Sequence, residues 1–139
     1  MSSERILSID YGSKRVGLAA TDALGLTLQP WTALQNRSRP DLLKNLLALI
    51  QEKEIKKVII GLPRSLDGNL GPQAIVCMKF AEDLSKATEI TIEMQDESFT
   101  SREADEILIR DLDLSREKRK KVKDSMAALL ILKSYLQVP

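Results

Sequence analysis

Apolar residues follow two different rhythms along this chain, and the change between them outlines its architecture. From Arg5 to Tyr11 the segment is rich in β-forming residues, and after the turn-prone Gly12-Ser13-Lys14 a second short run covers Val16 to Thr21. The two read as a hairpin. Gly25 marks another turn, and Thr27 to Leu34 forms a third strand, with Pro30 better suited to an edge or a bulge than to a central position. Pro40-Asp41 then opens a helix through about Lys53, because Leu42, Leu43, Leu46, Leu47, Leu49 and Ile50 recur at helical spacing.

Lys57 to Gly61 is apolar without alternation, as expected of a central strand covered on both faces. The loop from Leu62 to Gly71 feeds a helix that starts at Pro72 and runs to about Lys86. Glu89 to Gln95 alternates as a strand and ends at Asp96-Glu97. Ser98 and Thr100 cap a helix to about Arg110, and a last helix passes from a basic cluster through Asp124 to Leu136. The order β, β, β, α, β, α, β, α, α implies an α/β fold. Its five-stranded mixed sheet starts as an antiparallel meander, continues with parallel strands, and carries helices on both faces. At 139 residues, without an internal repeat, residues 1–139 are expected to form one domain.

Composition narrows the chemistry. The chain contains no histidine, which removes Ser/His/Asp and Cys/His nucleophilic schemes and the commonest zinc ligand. Its one cysteine, Cys77, permits neither an internal disulfide nor a multi-cysteine metal site. A hydrolase built from this sequence must activate water with carboxylates, a lysine or oxygen-ligated metal ions. The apolar stretch after Arg5 is cut by Asp10, too early for a secretory signal or a membrane span, so the expectation is a cytoplasmic protein without membrane attachment.

Three carboxylates stand where such chemistry needs them. Asp10 closes an otherwise apolar strand, where a carboxylate must be desolvated, paired or bound to a cation. Gly12 and Gly17 beside it offer room for a phosphate backbone. Asp96 and Glu97 end another strand, and neighbours on a strand point opposite ways. Glu97 is the choice for the site, with Asp96 behind it. Asp124 precedes the small Ala127 and Ala128, which let that helix end approach the sheet. Alone, each has a structural explanation as a turn former or helix-start charge. Together, Asp10, Glu97 and Asp124 are oxygen donors suited to Mg²⁺ or Mn²⁺.

Net charge is only +1, so nucleic-acid contacts must come from local clustering. Six of the eight residues from Arg116 to Lys123 are basic: Arg116, Lys118, Arg119, Lys120, Lys121 and Lys123. Charge runs are commonly solvated faces, but this one adjoins Asp124. Lys14 and Arg15 after the first strand, and Arg64 in the central loop, extend the same candidate phosphate-binding surface. No Walker A or dinucleotide fingerprint occurs, so no nucleotide cofactor is indicated.

These motifs resemble the YqgF (RuvX) family, described as Holliday junction resolvase-like nucleases of the ribonuclease H-like superfamily. Asp10-Tyr11-Gly12-Ser13-Lys14-Arg15-Val16-Gly17 looks like the family's opening strand and turn. Gly61-Leu62-Pro63 with Asp67-Gly68 looks like its central loop, and Lys123-Asp124-Ser125-Met126-Ala127-Ala128 like its final helix. The resemblance implies a ribonuclease H-like fold and a metal-binding triad at Asp10, Glu97 and Asp124. It further implies a phosphodiesterase acting on structured RNA, the precursor of small-subunit ribosomal RNA. The alternatives are a four-way DNA junction as substrate and a non-catalytic ribosome-assembly module, and the protein is expected as a monomer or homodimer. One departure stands out: the family reads Asp-Glu-Arg where this chain reads Asp96-Glu97-Ser98. The cation beside the second carboxylate is therefore missing, and Arg102 is the nearest substitute in sequence.

Overall fold

The computed structural model describes residues 4–25, 27–63, 70–97, 115–117 and 122–136, with Glu97 described by its backbone alone. Five strands form one sheet in the order β3-β2-β1-β4-β5. They are β1 (Ile6–Tyr11), β2 (Arg15–Thr21), β3 (Leu28–Gln35), β4 (Lys57–Pro63) and β5 (Thr91–Glu97). The first three pair antiparallel, while β4 joins β1, and β5 joins β4, in parallel. Helices α1 (Arg39–Glu52) and α2 (Pro72–Ala87) follow β3 and β4, and α3 (Met126–Leu136) closes the chain after a 3₁₀ turn at Lys123–Ser125. The expected mixed sheet is thus observed, but the expected helix from Ser98 to Arg110 lies outside the described residues.

Boundaries shift where local chemistry decides them. Helix α1 starts one residue before Pro40, because the Ser38 hydroxyl accepts from the Asp41 amide and leaves Pro40 in the first turn, where no donor is lost. Strand β4 continues past Gly61 to Pro63, since β5 supplies partners out to Glu97. Asp124 does not open an α-helix as expected; it sits inside the 3₁₀ turn, and α3 starts two residues later.

Strand alternation sorts the sheet's faces. Leu7, Ile9, Val16, Leu18, Val58 and Ile60 join α1 and α2 in one apolar layer. Ile6, Ala19 and Ile59 pack on the other face against the buried side of α3, Met126 and Ala128 to Leu132. At roughly 1.5–3 kcal/mol for each large side chain buried, α3 is held mainly by this contact.

Two serines fix where α3 lies. The buried Ser8 hydroxyl donates to the Ala128 carbonyl at 2.8 Å. Ser125 works at an irregularity in the β2–β3 pairing between Val16 and Leu18. There the Leu18 amide donates to the Ser125 hydroxyl at 3.0 Å, and that hydroxyl donates to the Trp31 carbonyl. One side chain thereby satisfies backbone groups that the bulge takes out of the ladder.

Ser125→Ala takes the partner from the buried Leu18 amide and the part-buried Trp31 carbonyl, and a buried group left unpaired costs roughly 1–3 kcal/mol. We expect urea unfolding of this variant to show a lower midpoint at an unchanged slope. A midpoint equal to that of the wild type would deny the serine this role.

Candidate metal and nucleic-acid site

Asp10 is the second-last residue of β1 and shares the α3-facing side of the sheet with Ile6 and Ser8. Among the described residues its carboxylate has neither a hydrogen-bond donor nor an ion-pair partner, and burial pushes its pKa up from the ordinary value. Removal from water raises the cost of the charged form, and nothing described here offsets it.

Directly across the ladder from Asp10 stands Gly17. A Cβ built on Gly17 would collide with the carbonyl oxygen of Asp124 and lie 3.1 Å from the Cα of Ser125. The missing side chain is therefore what lets the 3₁₀ turn press onto the strand pair beside Asp10. The room expected at Gly17 for a phosphate backbone is filled by the chain itself. Gly12 is likewise used internally, since a Cβ there would collide with the Arg15 carbonyl inside the hairpin turn.

That turn is tied down from β3. The Asn36 side-chain amide donates to the Gly12 carbonyl at 2.8 Å, and the Asn36 backbone amide donates to the Lys14 carbonyl at 2.8 Å. Lys14 and Arg15 are thereby presented to solvent from a fixed turn. Arg15 reaches back so that its guanidinium lies 3.6 Å from the Asp124 carboxylate, both side chains being about half exposed (57% and 45%). An ion pair this wet is weak and readily exchanged.

The structure thus brings together Asp10, Asp124 and Arg15, with the exposed Lys14 and Lys123 nearby in the chain. Glu97 ends β5 opposite Pro63, at a register position on the same face as Glu93 and Gln95. Its side chain is outside the described residues, and among the described residues no three acidic, histidine or cysteine side chains gather into one cluster. Asp96 occupies the alternate position, on the side of Ile92 and Met94. Arg64, Lys118, Arg119, Lys120 and Lys121 lie outside the described residues. Ser125 and Asn36 escaped the sequence reading, although a serine directly after the candidate ligand Asp124 was a usable signal.

A divalent cation fits this donor set on two counts: the half-buried carboxylate of Asp10, without a partner among the described residues, and a second carboxylate across Gly17 whose ion-pair partner among them is an exposed arginine. Both donors are hard oxygens, as Mg²⁺ and Mn²⁺ prefer.

The family model described as "RuvX: Holliday junction resolvase" matches residues 4–138. A protein of Thermoanaerobacter pseudethanolicus named "Putative pre-16S rRNA nuclease" is 40% identical over 132 residues, covering 95% of both chains. A Clostridioides difficile protein of the same name is 38% identical over 136 residues, covering 98% of this chain and 96% of its own. Among solved structures, fowlpox virus resolvase with Holliday junction DNA superimposes with a TM-score of 0.65 at 13% identity, covering 96% of this chain and 97% of that one. Thermus thermophilus RuvC with a Holliday junction substrate gives 0.63 at 12% identity, covering 97% and 96%. At such identities the likeness is one of fold, and that fold is ribonuclease H-like. Among the described residues no helix is long and apolar enough to cross a membrane.

The electrostatics at Asp10 make a prediction about stability. Because its folded pKa is raised, the native state binds the proton more tightly than the unfolded chain, so stability falls as pH rises from the ordinary carboxylate value of 3.8 through the folded value. Asp10→Asn should therefore melt at a higher temperature than the wild type at pH 7 in EDTA, with the gap closing as pH drops toward 3.8. A variant that melts lower at pH 7 would mean that the Asp10 charge is already compensated.

Proposed function

The chain belongs to the RuvX family, and on that premise we propose that it is a divalent-metal-dependent nuclease that trims the precursor of 16S ribosomal RNA. The observation that carries this reading is the uncompensated carboxylate of Asp10, set across Gly17 from Asp124 on one face of the sheet. Asp10, Asp124 and Glu97 are proposed as the residues that hold Mg²⁺ or Mn²⁺. Bound metal supplies a water of lowered pKa and neutralises charge on the scissile phosphate and leaving oxygen, which suits a chain without histidine.

The chain's own residues then have separate tasks. Gly17 and Ser125 set the distance between the two carboxylate-bearing segments. Arg15, paired with Asp124 only through an exposed contact, is placed to meet a substrate phosphate beside the carboxylates that would hold the metal. Lys14, Lys123 and the run Lys118, Arg119, Lys120 and Lys121, together with Arg64, are proposed to hold neighbouring phosphates, an attraction that weakens with salt. With Ser98 where the family has arginine, more of that work falls to these positions. The proposed place of work is the cytoplasm, where ribosomal RNA precursors are processed.

A second reading, cleavage of a four-way DNA junction, is favoured by the description of the matched family. It requires two sites acting on a symmetric substrate, and therefore a dimer.

Both readings meet in one experiment: incubating labelled 16S precursor RNA and a four-way DNA junction with the protein and Mn²⁺, Mg²⁺ or EDTA. We expect metal-dependent cutting of the RNA, reduced at least about 100-fold in Asp124→Asn, since even residues behind metal ligands matter on that scale. Cutting of the junction alone would move the substrate to DNA. Binding without cutting under every condition would leave an assembly factor.

A further inference from the structure

At the same end of β1 but on the other face of the sheet from Asp10 lies a cleft of about 350 Å³ that the carboxylate chemistry does not use. Its floor is Tyr11, the neighbour of Asp10, whose side chain points to the other face of the strand and stacks on Phe80 with ring centroids 4.4 Å apart. Ser13 of the hairpin turn and Asn36 form one wall, and Gln73 and Val76 of α2 the other. Arg37 and Arg39 line the same space.

The polar groups of this cleft are only partly committed. Arg39 is a fixed part of the wall: it pairs with Asp83, donates to the Tyr11 hydroxyl at 3.0 Å, and lies over the Tyr11 and Phe80 rings. Arg37 is exposed and makes no ion pair or hydrogen bond among the described residues. The Asn36 and Gln73 amides each spend an N–H on a backbone carbonyl, those of Gly12 and Tyr11 at 2.8 and 3.2 Å. Those carbonyls only accept, so they fix which end of each amide is NH₂ and leave both amide oxygens as acceptors.

A cation free to meet a phosphate and two acceptors suited to N–H donors, in a space at the lower end of small-ligand pockets, match a single nucleotide. Asp10 and Tyr11 are adjacent in β1 and their side chains point to opposite faces, so the two sites lie on either side of the same strand end. A strand held at Asp10 reaches the cleft by crossing the hairpin turn.

We infer that this cleft seats one unpaired nucleotide of the bound RNA strand, across the hairpin turn from Asp10, with Arg37 on its phosphate and Asn36 and Gln73 reading its base. The inference rests on the nucleic-acid reading above and adds to it a requirement for a single-stranded flank beside the cut.

The test is binding of a fluorescent single-stranded RNA hexamer by polarisation in EDTA, where metal-dependent cutting is suppressed. Two surface variants probe the two walls: Arg37→Ala removes the free cation, and Val76→Phe, at a helix position 42% exposed, fills the space. Each should bind about tenfold more weakly, the usual scale of one charge-assisted contact, with Arg37→Ala alone lowering the salt slope by about one phosphate. Wild-type affinity in both variants, with circular dichroism showing them folded, overturns the inference. Cleavage of the precursor RNA is scored separately. Variants that cut but bind normally defeat the cleft and leave the nuclease, whereas a protein that binds through the cleft but never cuts retains the cleft and defeats the nuclease.

Discussion

The carbonyl oxygen of Asp124 rests where a side chain on Gly17 would begin, and the geometry of the carboxylate site follows from that contact. Gly17 pairs with Asp10 in the β1–β2 ladder, so a turn seated on Gly17 is seated beside Asp10. Ser125 holds the turn there by filling the gap between the Leu18 amide and the Trp31 carbonyl, and Ser8 fastens the following helix through Ala128. Residues more than a hundred positions apart are thereby held together by one close backbone approach and by serine hydroxyls bonded to backbone groups. A site needing carboxylates at fixed spacing gains from being built this way.

The same arrangement sets function against stability. Asp10 is carried into partial burial without a partner among the described residues, a condition that opposes the charged form and lowers stability at neutral pH. Among the described residues, Asp124 has a solvent-exposed arginine as its ion-pair partner. Neither feature helps the fold, and both suit carboxylates proposed to hold a divalent cation. On the other face of the sheet the charges are better paired: Arg39 binds Asp83 and the Tyr11 hydroxyl and lies over the Tyr11 and Phe80 rings, with Arg37 exposed beside it.

The sheet and its helices were readable because their signals are local. The unbroken apolar run at Lys57 to Gly61 announced a strand covered on both faces, and the leucine stripe of Leu42 to Ile50 announced a helix. Asp10, a carboxylate closing an apolar strand, and Asp124, between a basic run and the small Ala127 and Ala128, stood out in the sequence as well. What was not readable depends on contacts distant in sequence. Nothing local to Gly17 tells whether its open side faces a phosphate or the chain's own carbonyl. The bulge that Ser125 fills exists only once β2 and β3 have paired, and the 3₁₀ turn at Lys123–Ser125 is set by that docking rather than by propensity.

The central claim is that Asp10 and Asp124 form one cation site because of Gly17. Calorimetric titration of Mn²⁺ into the wild type, Asp10→Asn, Asp124→Asn and Gly17→Val, without nucleic acid, tests it without relying on turnover. The account predicts binding by the wild type, its loss in both asparagine variants, and marked weakening in a folded Gly17→Val that keeps both carboxylates. Undiminished Mn²⁺ affinity in Asp10→Asn and Asp124→Asn would place the ion elsewhere and contradict the account.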